Sequence, residues 1–118
     1  IRVAEAFKNH VLRPELKQMV FLSSMVGSIV QALVGDGFIY RSSKTCLNMA
    51  VNILANQLRS SGATCVLFHP GWVRTDMRGP SAAIEPTVSV GSMINVIKRL
   101  KPEDSGRFID YDGFEFPW

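Results

Sequence analysis

Two short apolar runs, Met19-Val20-Phe21-Leu22 and Cys65-Val66-Leu67-Phe68, limit what this chain can fold into. Neither contains a polar residue to mark a solvated face, and each is too short for a core helix. Each therefore reads as a strand buried on both faces. The stretch from Ile39 to Ser60 between them reads as one long helix, with Leu47, Val51, Leu54 and Leu58 on one stripe and Cys46, Ala50 and Ile53 flanking it. Two buried strands joined by a helix make a βαβ unit with parallel strands. In open sheets built from such units, ligands sit at the carboxyl ends of the strands. Those ends carry Ser23-Ser24 in the first case and His69-Pro70-Gly71-Trp72-Val73-Arg74-Thr75 in the second.

The long helix opens with Tyr40 and Lys44, four residues apart and so on one helical face. An ammonium held beside a phenol favours the phenolate, which suits a tyrosine to moving protons. Alone, such a pair is more often a solvated face than a catalyst. Here it lies between a strand ending in hydroxyls and a strand ending in a Pro-Gly loop, and the three features point together to acid-base chemistry at one sheet edge.

A serine after a buried strand, then YxxxK, then PGxVxT after the next strand resembles the short-chain dehydrogenase/reductase superfamily. SSMVGSI, YRSSK, HPGWVRTDM and the ending with DG and a terminal Trp resemble its C-factor-like branch. The resemblance implies an α/β fold: the C-terminal half of a Rossmann-type doubly wound parallel sheet, in three α/β/α layers. Residues 1–118 would be the catalytic half of an NAD(P)-binding domain whose N-terminal, dinucleotide-binding half is missing from the chain. It further implies hydride transfer between the nicotinamide of NAD or NADP and a small-molecule carbonyl or alcohol. On that resemblance Ser24, Tyr40 and Lys44 are catalytic, with Tyr40 as acid/base. Tyr40, Lys44, Pro70, Gly71, Trp72, Val73 and Thr75 contact the cofactor, and Gly71 lets backbone approach a ligand closely. Alternation along the strand lets only one of Ser23 and Ser24 face the cofactor. Ser24 is the candidate, and Ser23 becomes a core-facing or backbone-bonded hydroxyl. A homodimer or homotetramer, assembled through the long helix, is also implied. The alternative is a non-enzymatic, C-factor-like signalling or interaction module, because a fold does not guarantee a reaction.

The remaining features set the frame. A chain of 118 residues with 47% hydrophobic content makes one globular domain. Its 13 basic and 10 acidic side chains are scattered, and a net charge of +3 is too mild to argue for nucleic acid. No apolar run reaches the length of a membrane span, which with Cys46 and Cys65 read as reduced core residues without metal-ligand spacing describes a soluble, cytoplasmic protein. Val3, Phe7 and Val11 recur at helical spacing before Pro14, and Asn9 and His69 read as a surface amide and a packed strand-end histidine. Met25 to Phe38 reads as a substrate-lining loop, and Asp76 to Pro86 as a short lid. Thr87 or Ser89 caps a last helix bearing Val90, Met93, Ile94, Ile97 and Leu100, and Arg107 to Tyr111 forms an edge strand. Asp112-Gly113 either folds Phe114 to Phe116 back as a hairpin or makes one turn before Trp118.

Overall fold

Strand β2, Thr64–His69, is buried along almost its whole length and forms the middle of a three-stranded sheet. The structure, a computed structural model, describes residues 1–13, 15–32, 35–76, 79 and 81–118. Strand β1, Gln18–Leu22, pairs with β2 in parallel from Gln18 opposite Thr64 to Leu22 opposite Phe68. Strand β3, Phe108–Asp110, pairs with its other side, also in parallel, from Leu67 opposite Phe108 to His69 opposite Asp110. Alternation along β2 sends Cys65 and Leu67 to one face and Val66 and Phe68 to the other. On the first face they meet α1, Arg2–Val11, and α2, Phe38–Leu58, through Val51, Ala55 and Leu58 of α2 and Ala4 and Val11 of α1. On the second they meet α3, Pro86–Ile97, through Met93 and Val96. The result is a three-layer α/β/α arrangement on a parallel sheet, the Rossmann-type architecture.

The chain steps across the sheet in one direction, β1 to β2 to β3, yet α2 and α3 lie on opposite faces. The two crossovers therefore have opposite hands, although a right-handed crossover is the near-universal rule. Beyond the carboxyl ends of β1 and β2 the two connections consequently leave the sheet on different sides.

The sequence signals explain the element ends. Gly37, at φ 65°, precedes the 21 residues of α2, which contain neither proline nor glycine. Gly62, at φ 69°, closes the 3₁₀ turn that ends this helix, its N–H donating to the Arg59 carbonyl at 3.1 Å. Pro86 starts α3, where its missing N–H removes no helical bond.

Several expectations need correction. β1 is not buried on both faces: Met19 and Phe21 meet the core, but Val20 and Leu22 are exposed, and α3 meets this strand at its start, where Gln18 Nε2 donates to the Ile97 carbonyl at 3.4 Å. In α1 the exposed side carries Val3 and Phe7, and the helix packs through Ala4, Val11 and Leu12. Cys46 is exposed on the outer side of α2 with Met49 and Ile53, so Cys65 alone of the two cysteines is a core residue, its thiol pushed up by burial. Neither Thr87 nor Ser89 caps α3; the N-cap is Glu85, without a side-chain bond, and Ser89 is buried. The hairpin reading holds at the tail. Asp110 N–H donates to the Phe114 carbonyl and Phe116 N–H to the Phe108 carbonyl, both at 2.8 Å. The Trp118 ring lies 6.0 Å from that of Phe108. Pro14, and within the expected lid Met77, Arg78 and Pro80, lie outside the described residues, as do Leu33 and Val34. No helix among the described residues is long and apolar enough to cross a membrane.

Beside β3, the Arg107 guanidinium pairs with Asp104 at 2.6 Å and Glu115 at 2.9 Å. Burial pushes the Asp104 carboxyl up, but the Lys101 N–H and Arg107 outweigh it and hold the group below the usual carboxylate range. A carboxyl held lower in the folded state adds stability above its unfolded pKa and loses it as pH falls through the folded value. Asp104→Asn is therefore expected to lower the melting temperature at neutral pH, with the gap to the parent closing below pH of about 4. A gap that persists into acid would show that the pair contributes no titrating stability. Phe108, fully buried and covered by Phe116 and Trp118, anchors the tail. Phe108→Ala is expected to cost about 3–5 kcal/mol in urea unfolding. A loss under about 1 kcal/mol would mean the two tail rings collapse into the vacated space.

Candidate active site

β1 and β2 end at the same level. Ser23 N–H continues their ladder, donating to the Phe68 carbonyl at 2.7 Å. Immediately beyond, one chain turns towards α2 and the other towards α3, and the divergence opens a crevice of the kind that α/β sheets use for ligands. A cleft of about 510 Å³ occupies it, a size suited to a small molecule or one end of a larger one. Ser24, Met25 and Val26 form one side, Tyr40 a second, and Pro70 to Val73 with Thr75 a third, over a floor of Val90 and Met93. Among the described residues lining it, none is Asp, Glu, Lys or Arg.

The structure brings most of the expected site residues to this cleft. Ser24, extended at φ −150° and ψ 146°, is buried at its edge. Tyr40, the third residue of α2, is 40% exposed there. Pro70, Gly71, Trp72, Val73 and Thr75 all border it. Lys44 does not line the cleft. It stands one turn behind Tyr40, with Nζ 5.6 Å from the centre of the phenol ring, and donates to the Leu22 carbonyl at 3.4 Å. His69 borders the cleft, and its ring meets Phe116 edge-on at 5.7 Å.

Of the two serines, Ser23 is the one already engaged: its hydroxyl donates to Asn48 Oδ1 at 2.5 Å. Asn48 also donates from Nδ2 to the Gly27 carbonyl at 3.3 Å, and Thr45 Oγ1 donates to the same carbonyl at 2.9 Å. Gly27 belongs to the 3₁₀ turn Met25–Gly27 and presses against α2, so close that a Cβ on it would lie 2.9 Å from Lys44 Cβ. Sequence reading passed over Asn48. The available signal was an amide one turn after Lys44, on the helix face otherwise carrying Val51, Ala55 and Leu58.

At Gly71 the structure adds a packing requirement. It holds φ 87°, and a Cβ there would lie 2.5 Å from Ile84 Cδ1 and 3.1 Å from the Tyr111 ring. The missing side chain makes room for Ile84 and Tyr111 beside the cleft that Gly71 borders. The loop is tied down from two sides. Ser89 Oγ, from α3, donates to the Pro70 carbonyl at 2.5 Å. Ile84 N–H donates to the Trp72 carbonyl at 3.1 Å, and Arg74 N–H to the Ile84 carbonyl at 2.8 Å. The Arg74 side chain reaches the Ala82 carbonyl and the Glu85 carboxylate, which fastens the base of the segment after the loop.

No family model matches the chain. C-signal of Myxococcus xanthus is 43% identical over 118 residues, all of this chain and 71% of that protein. Among solved structures, NADPH-bound carbonyl reductase from chicken fatty liver superposes with a TM-score of 0.89 at 31% identity, over 98% of this chain and 51% of that one. A Burkholderia multivorans protein with bound NADP, classed with the short-chain dehydrogenases/reductases, gives 0.87 at 32% identity over 99% and 50%. The chain thus spans about half the length of these two reductases. With strand order, cleft position and sequence in agreement, the chain belongs to the short-chain dehydrogenase/reductase superfamily, in the branch that includes C-signal.

Proposed function

We propose that the protein carrying this chain is an NAD(P)-dependent oxidoreductase that interconverts a small-molecule carbonyl compound and its alcohol, with Tyr40 as acid/base. The observation that carries this reading is the meeting of Ser24, Tyr40 and the Pro70–Val73 loop around one cleft, with the Lys44 ammonium 5.6 Å behind the phenol. In this proposal residues 1–118 are the catalytic half, and the dinucleotide cradle lies in a further half. The residues present fit the nicotinamide end of a dinucleotide. The cleft offers an apolar wall for a flat ring, hydroxyl donors opposite it, and no carboxylate among its described lining residues. When bound, the cofactor supplies or takes up the hydride.

The chain's own groups do the rest. As negative charge develops on the substrate oxygen, the Tyr40 hydroxyl gives it a proton, and takes one back in the reverse direction. Ser24 Oγ–H donates to the same oxygen from the other side of the cleft, stabilising the charge before the proton arrives. The Lys44 ammonium offsets the charge of the phenolate left behind. Its bond to the Leu22 carbonyl, the one it makes among the described residues, is long at 3.4 Å, and its other N–H groups are the donors for ribose hydroxyls. Backbone groups of Pro70 to Val73, with Thr75, meet the nicotinamide and its amide. Either NAD or NADP suits this half, since the contacts that read the 2′-position belong to the other.

The non-enzymatic signalling alternative leans on the name of one relative. Other relatives of the chain, from yeasts and Rhodococcus, are named as oxidoreductases or a dehydrogenase, which favours redox chemistry. A homodimer or homotetramer through the exposed outer side of α2, and a cytoplasmic location in keeping with two free cysteines, complete the proposal.

Tyr40→Phe in the full-length protein is expected to lower kcat by about 10²–10⁴ while the Kd for NADPH or NADH stays within about twofold. Turnover and dinucleotide affinity lost together would make Tyr40 structural and remove the basis of the mechanism.

A further inference from the structure

We infer that Asn48 is a positioning residue of this site, locking the strand-end segment Ser23–Ser28 onto the helix that bears Tyr40 and Lys44 and so fixing Ser24 relative to Tyr40. Its effect on turnover rests on the reductase reading above; its effect on local structure does not.

Asn48 is 2% exposed and lies one turn beyond Lys44 and two beyond Tyr40, on the same side of α2. Its helical neighbours on the buried stripe are Val51, Ala55 and Leu58, so an amide here is costly unless both of its ends are bonded. Both are. The Gly27 carbonyl can only accept, which turns Nδ2 towards it at 3.3 Å and leaves Oδ1 to take the Ser23 hydroxyl proton at 2.5 Å. The two anchored residues flank Ser24, one immediately before it and one three after it, and the segment between cannot drift without breaking one of the bonds. Thr45 doubles the grip on the Gly27 carbonyl at 2.9 Å, and the bare Gly27 backbone seats directly against Lys44.

A purely stabilising role would be open to leucine, which branches at the same atom as asparagine and shares the character of the surrounding stripe. What leucine cannot do is hold the serine-bearing turn at a set distance from the tyrosine. Reacting groups are sensitive to such offsets, a displacement of about 1 Å costing on the order of 10²-fold in rate.

The test uses the full-length protein with NADPH and a panel of simple carbonyl compounds led by benzaldehyde, comparing the parent with Asn48→Leu and Ser23→Ala. In Asn48→Leu, kcat is expected to fall about 10–100-fold, with KM and the Kd for NADPH within about threefold. In a Ser24→Ala background the same substitution costs less, because its effect acts through Ser24. Amide hydrogen exchange gives the readout that needs no turnover. The Gly27 and Ser28 amides, bonded to the Ser24 and Met25 carbonyls, exchange about tenfold faster while those of Val66 to Phe68 do not change. Unaltered kcat with unaltered Gly27 and Ser28 exchange overturns the inference, and so does faster exchange that extends into β2, which would mark general destabilisation. If Asn48→Leu does not fold, Ser23→Ala carries the same readouts with one bond removed in place of two. If the parent reduces nothing on the panel, the reductase reading falls, and exchange alone decides: faster Gly27 and Ser28 amides uphold the lock, unchanged ones dispose of it.

Discussion

The parallel pairing of β1 with β2, in a register that sets Leu22 opposite Phe68, is the constraint on which the rest of the structure depends. A slip of one residue would turn Met19 and Phe21 away from the α1–α2 layer and expose an apolar set to water. The same slip would exchange Ser23 with Ser24, so the packing of the core and the identity of the hydroxyl in the cleft are decided by one set of backbone bonds. Because both strands end at one level, the serine pair and the Pro-Gly loop meet side by side with no further device.

α2 then joins the core to the cleft. Its buried stripe, Val51, Ala55 and Leu58, closes on Cys65 and Leu67 and fixes the helix against the sheet. Its first turns run past the end of β1, where the apolar stripe gives way to Asn48, Thr45, Lys44 and Tyr40. The change from apolar to polar along one face coincides with the point where the strand beneath it stops. Gly27 fills the junction with bare backbone, which is why the turn after β1 can lie so near the helix.

The strands, the long helix and the crevice edge were legible in the sequence because each is encoded locally: short runs of apolar residues, 21 residues free of proline and glycine, and hydroxyls or glycine where the runs end. The faces of elements were less legible. Val3 and Phe7 are as apolar as Val11, and only the placement of α2 decides that Ala4 and Val11 pack while the other two face outwards. Cys46 and Cys65 differ in burial for the same reason. At Gly71 the sequence reported the need for a missing side chain but not what fills the space, since Ile84 and Tyr111 are distant in the chain. Asn48 escaped notice because its partners, Ser23 and Gly27, come from another element, and a lone amide in an apolar helix carries no local signature of its bonds.

The opposite hands of the two crossovers divide the cleft's construction between separate parts of the chain. The wall holding Ser24 and Tyr40, with Lys44 one turn behind it, is built by the first connection and braced from one face of the sheet. The wall from Pro70 to Thr75 is built by the second and braced from the other, through Ser89 and Ile84. Substitutions in the wall from Pro70 to Thr75 can therefore reshape what the cleft admits while leaving the Ser23–Asn48–Gly27 bonds untouched. A scaffold built this way can change one wall of its cleft by editing a single connection, with the opposite wall held as it was.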